Sequence, residues 1–259
     1  MDITMTLLYV SQLEALGVAV PEQTQTARAV YEAAGQAAEA SPSDDLRAAM
    51  MAGELTPANA ADRLREAALA ESARSTVQTL ARDLHLPINR TMLVGLEAEA
   101  TRIHADLAAL FAPAAAEVME SARHFGADVT GDQAIAGGPK VVKLYQSLSD
   151  NTALLAAVSR AYQGLLENVT RNLTTAGALV SLYVEDQPDL DLEHARQLFA
   201  EPQRWMELAA AGYTLTLNTH DQARALTQKH AARVADEEKA ARDSRRSGQR
   251  FAGRLGAMA

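Results

Sequence analysis

The chain has 259 residues, a formal net charge of −9 and no cysteine, which excludes disulfides, thiolate metal sites and thiol catalysis. About a fifth of it is alanine, the best helix former; aromatic residues amount to only 4%. No run approaches the roughly 20 apolar residues of a membrane helix, so no membrane partner is expected.

In chain order, Asp2 is placed to cap a first helix carrying Ile3, Leu7, Leu8 and Leu13, with Gly17 as its stop. Pro21 opens a second helix through Val30 to about Ala40. Ser43, Asp44 and Asp45 start a short third one with Leu46, Met50 and Met51. Thr56-Pro57 restarts the chain, and the helical pattern runs to Leu84, where His85-Leu86-Pro87 is predicted to break it. A long helix is predicted from about Thr91 to Phe125, kinked at Pro113. The segment from Gly126 to Pro139 holds four glycines and is predicted to be a loop or hinge.

The second half resumes at Val141–Leu148 and continues in a longer helix from Ser149. Asp189 or Asp191 caps another helix, and Pro202 restarts the chain around Trp205. Tyr213–Asn218 alternates apolar and polar residues with the period of a strand, and its one plausible partner is Leu179–Val184. Thr219 and Gln222 form a capping-box pattern. The helix that follows has only Leu226 and Val234 as large apolar residues up to Ser247. Such a helix has no wide apolar stripe to bury, so it is expected to project or to pair with another chain.

These elements predict an all-α, elongated multi-helix bundle with at most a small two-stranded β ribbon near 179–184 and 213–218. The expected organisation is an N-terminal helical subdomain over 1–125, a Gly-rich hinge over 126–139 and a C-terminal helical subdomain over 140–218. A polar projecting helix over 219–247 and a basic tail over 248–259 complete it. The N-terminal apolar stretch lacks a basic lead-in, which, with the absence of cysteine, places the protein in the cytoplasm or in a particle assembled there.

Four arrangements bear on chemistry. Glu117, Glu120 and His124 share a helical face, but the Glu-x-x-His pair of a di-iron bundle is missing, so a solvated polar face is the simpler reading. The His220-Asp221 doublet, with His194 and Asp236 as outer candidates, resembles the metal-binding set of HD-type phosphohydrolases; that resemblance implies a metal-dependent hydrolase. The same doublet has a local explanation at the start of a capped helix. Gly137-Gly138-Pro139-Lys140 lacks the spacing of a phosphate-binding loop. No catalytic residue, metal or cofactor is assigned on these grounds.

The fourth arrangement is the C-terminus. From Thr219 onward there are nine Lys/Arg against five Asp/Glu, leaving a net −13 for the rest. Arg242, Arg245, Arg246, Arg250 and Arg254 surround Phe251 and Leu255. Guanidinium forks with apolar anchors suit an acidic protein surface, and these seven residues are the candidate partner contacts. Nucleic acid is the competing ligand for the same charges. An acidic helical body with a basic terminal clamp is similar in layout to phage scaffolding and virion-assembly proteins. The expectation is therefore a non-enzymatic assembly protein binding copies of itself or another protein, with a helical nucleic-acid adaptor as the alternative.

Overall fold

The computed structural model describes residues 2–39, 41–127, 129–172 and 179–256, with side chains described as far as Arg242. The fold is all-α. Ten α-helices occur among the described residues: α1 (Ile3–Ala15), α2 (Glu22–Glu39), α3 (Pro42–Met51), α4 (Ala60–Ala98), α5 (Ala100–Phe125), α6 (Gly131–Ala136), α7 (Pro139–Gly164), α8 (Leu192–Phe199), α9 (Arg204–Ala210) and α10 (His220–Gly256). The chain divides into two compact units, Met1–Ile103 with Asn168–Thr170, and His104–Glu167 with Arg171–Ala259. The division falls within α5 rather than in the glycine-rich segment.

In the first unit, α1, α2 and α3 each pack on α4. The core joins Ile3, Ala27, Ile88 and Met92, with Leu7, Tyr31 and Leu84 against them. Pro87 does not break α4, which runs through it for 39 residues. A proline inside a helix costs roughly 3 kcal/mol through its missing N–H and its clash with the preceding turn. Burial of Ile88, Met92 and Leu96 just beyond it offsets that, at about 1.5–3 kcal/mol for each large side chain. The break falls instead at Glu99, whose φ of −103° and ψ of 10° leave the helical region. Thr56-Pro57 forms a turn whose Thr56 N–H donates to Asn59 Oδ1 at 2.7 Å, and α4 begins only at Ala60.

Two buried hydroxyls fix the helix register. Thr6 Oγ1 on α1 donates to Asn89 Oδ1 on α4 at 2.6 Å. Thr24 Oγ1 on α2 donates to the Met92 carbonyl at 3.1 Å, beside Gly95. A Cβ on Gly95 would lie 2.6 Å from Thr24 Oγ1, so glycine sets the close approach of α2 to α4. The two helices run antiparallel: Thr24 faces Met92, Tyr31 faces His85, and Gln78 Nε2 donates to the Ala38 carbonyl.

The second unit gathers four of the few aromatic residues. Phe111, Tyr183, Phe199 and Trp205 lie with ring centroids 5.3–6.2 Å apart, in the edge and offset arrangements that aromatic quadrupoles favour. The Arg204 guanidinium sits 4.8 Å above the Phe199 ring. The predicted ribbon is reduced to one antiparallel bridge between Val184 and Leu215, because Val180–Leu182 winds into a 3-10 turn. Thr216 N–H still donates to the Tyr183 carbonyl, and Asn218 N–H to that of Leu182.

Within the expected hinge, α6 is capped by a reciprocal box in which Thr130 Oγ1 accepts from Gln133 N–H and Gln133 Oε1 accepts from Thr130 N–H. α7 runs unbroken from Pro139 and ends in a π-helical turn, Leu165–Val169. Asp191, not Asp189, caps α8, its carboxylate accepting from the N–H groups of Glu193 and His194. The Thr219–Gln222 capping box is present as expected, but α10 continues past Ser247 to Gly256, so the basic tail is the last part of a helix.

Candidate partner-contact site

The polar face of α10 has two halves with different environments. In the first, Ala223 and Leu226 are buried, and polar side chains hold the helix to its own unit. Thr227 Oγ1 meets Ser181 Oγ at 3.2 Å. Lys229 Nζ pairs with Asp186 at 2.7 Å. His230 Nε2 accepts from the Leu192 N–H at 3.3 Å, and the Arg233 guanidinium donates to the carbonyls of Pro188 and Leu190. This half is held to its own unit: polar bonds to side-chain and backbone groups of the 181–192 segment take the place of a wide apolar stripe.

After Arg233 this changes. Every described side chain from Val234 to Arg242 is exposed, and the ion pair described for Arg242 is made within the helix, to Glu238. Arg242 is the one candidate contact residue whose side chain is described. Arg245, Arg246, Arg250, Phe251, Arg254 and Leu255 lie on the helical backbone, and their side chains fall outside the described set.

The other candidate clusters serve structural bonds. Glu117 accepts from Ser147 Oγ at 2.9 Å and from Asn151 Nδ2 at 2.6 Å, tying α5 to α7. Glu120 pairs with Lys140 at 3.1 Å and Arg123 at 2.9 Å, and these partners hold its carboxyl below the ordinary range. Lys140, the lysine of the glycine-rich segment, is thereby engaged. His194 Nδ1 lies 3.1 Å from the Tyr213 hydroxyl, which donates to the Asp191 carbonyl. His220 Nδ1 is 3.7 Å from its neighbour Asp221. Among the described residues no group of three or more His, Cys, Asp or Glu is placed to hold a metal ion, so the HD-like set His194, His220, Asp221 and Asp236 is not brought together.

Burial shifts several titratable groups, Tyr183 and the half-buried His104 among them. Burial pushes the Tyr183 hydroxyl up to about 12, against the lowering effect of its bonds to Gln163 and Ser159. Burial likewise lowers the pKa of His104 and favours its neutral ring, opposed by the backbone of Leu217 and Asn218.

A surface that sequence reasoning missed lies on the first unit. Thirteen large hydrophobic side chains are exposed among the described residues, and ten of them belong to this unit, including Leu64, Leu69, Leu80, Leu86 and Val94 on α4 alone. Between α2 and α4 runs an open groove of about 530 Å³, walled by Ala27, Val30, Leu84, Pro87 and Ile88 and bordered by Glu22. The helical periodicity of α4 hides this surface, since a helix read as amphipathic is taken to bury all its leucines. No helix among the described residues is long and apolar enough to cross a membrane. Comparison with protein-family models, curated proteins and solved structures gives no match for the chain.

Proposed function

We propose that this chain is a non-enzymatic structural protein that self-associates as a component of a larger cytoplasmic assembly. One observation carries the reading: ten exposed large apolar side chains are concentrated on the unit of Met1–Ile103. Exposed leucines taken singly are ordinary; here Val30 also lines an open groove with Ala27, Leu84, Pro87 and Ile88, and an exposed apolar groove is a surface that association buries. The helix beyond Arg233 points the same way. An isolated helix is marginal in water unless a face of it packs on something, and this one carries Gly248, Gly253 and Gly256, each costing about 1 kcal/mol relative to alanine. Glu117 and Glu120, two of the carboxylates that suggested chemistry, are engaged in bonds from α5 to α7.

Sedimentation velocity over a concentration series tests this. The reading expects a species that is a multiple of 27.6 kDa and dissociates on dilution. A 27.6 kDa particle at every concentration overturns it. The basic run in α10 favours a second reading, a nucleic-acid adaptor; that reading expects a monomer that binds DNA or RNA with steep salt dependence.

A further inference from the structure

The end of α10 and the open groove of the first unit have complementary composition. From Lys239 to Gly256 there are six basic residues and one acid, whereas residues 1–103 carry fourteen acids and eight bases, a net −6. On the helical backbone of α10, Lys239, Arg242, Arg246, Arg250 and Arg254 recur at three or four residues, the repeat of one stripe. Ala240, Ser244, Gly248, Phe251 and Leu255 recur the same way, on the stripe across the helix. The spacing is thus amphipathic, with a basic side and a small or apolar side.

The groove supplies the matching halves. Its lining joins five apolar residues with the polar Gln23, Thr26 and Thr91, and its one charged residue, Glu22, is acidic. Val30 is 48% exposed, and Leu80, one turn before Leu84 on α4, is 59% exposed. On α2 the groove is lined from Glu22 to Val30, nine residues that span about 13 Å at 1.5 Å per residue. Gly248 to Leu255, the part of the helix end that carries Phe251 and Leu255, covers about 12 Å. A helix lying in such a groove would seat its apolar stripe between the walls and leave its basic stripe against the acidic surface.

We propose that the end of α10, from Val234 to Gly256, docks in the α2–α4 groove of a second copy of this chain. The proposal rests on the self-association reading and specifies its interface. Because donor and acceptor are different surfaces, the contact is head-to-tail, and each bound copy still offers one free groove and one free helix end. Such contacts propagate into a ring or an open chain.

Head-to-tail geometry allows a complementation test with full-length protein and two variants. Val30→Arg puts a bulky cation on the groove lining and leaves the helix end; a chain ending at Ser247 keeps the groove and loses Arg250, Phe251, Arg254 and Leu255. Circular dichroism checks that each variant stays folded, and sedimentation velocity measures mass. The expected result is that each variant alone is a monomer while an equimolar mixture forms a dimer and nothing larger. If the unaltered chain self-associates but the groove variant does so equally well, or the mixture stays monomeric, this interface is wrong and self-association stands. An unaltered chain that is monomeric at all concentrations overturns both. Loss of DNA retention on truncation of such a monomer would assign the helix end to nucleic acid.

Discussion

Gly95→Ala and Gly35→Ala are the same substitution in two helices, and the structure requires opposite outcomes. In a helix interior, alanine is more favourable than glycine by about 0.8–1.0 kcal/mol. At Gly35 on α2 nothing lies within 4 Å of the added Cβ, so Gly35→Ala should stabilise by about 0.5–1 kcal/mol. At Gly95 the Cβ would meet Thr24 Oγ1 at 2.6 Å, with Gln23 Cβ and Thr24 N both at 3.3 Å. Thr24 is fully buried, and rotating its hydroxyl away breaks the bond to Met92, worth about 0.5–1.5 kcal/mol. The backbone contact remains, and forced separation of packed helices adds about 1–3 kcal/mol. After the propensity gain, the net expected cost is about 2 kcal/mol. Urea unfolding followed by circular dichroism reads both variants, using the midpoint of the transition that carries the first unit. In a Thr24→Ala background the cost of Gly95→Ala should shrink by about 1 kcal/mol, because the nearest clashing atom is gone. A Gly95→Ala variant as stable as the unaltered protein would refute the close helix approach, and with it the placement of the α2–α4 groove.

Replacing Asn218 by alanine should destabilise the second unit by about 1–3 kcal/mol, since its amide donates to the carbonyls of Ser181 and Val184; thermal unfolding measures it, and no change would contradict those bonds. His104 makes stability fall on the acid side of neutrality. Its folded pKa is lowered by burial, so below the ordinary value of about 6.5 the unfolded chain binds a proton that the folded chain resists, and stability drops as pH falls. His104→Gln should flatten that slope between about pH 7 and 5.5, as read by denaturant midpoints at the two pH values. Asp191 acts lower: its carboxyl is held below the ordinary range by the His194 N–H, so its contribution is present above that range and is lost as pH falls through the folded value. Asp191→Ala should cost about 0.5–2 kcal/mol at neutral pH and nothing in strong acid.

Local chemistry was the legible part of the sequence. The Thr219–Gln222 box and the Gly17 stop follow from residues within one turn of each other, and each is present in the fold, whereas α3 starts at Pro42 behind Ser41 rather than at Ser43. The failures came where distant packing outweighed a local signal. Pro87 is a strong breaker alone, but it sits in a helix whose buried face continues on both sides, and no local pattern reports how much burial lies beyond it. Glu99, where the helix does break, carries no breaker at all. The first half of α10 was misread for a related reason: the partners of Lys229, His230 and Arg233 lie 38 to 45 residues away, and spacing along the helix cannot show polar groups that distant in the chain. The seven basic-tail candidates were legible as a charge cluster, whereas the α2–α4 groove was not, because exposure of Val30 and Leu80 is a property of packing.

Particle mass tests the central claim of self-association most directly. Light scattering after size exclusion, on the full chain and on a chain ending at Ser247, should give a multiple of 27.6 kDa for the first and a lower mass for the second. A single 27.6 kDa particle in both cases would contradict the claim.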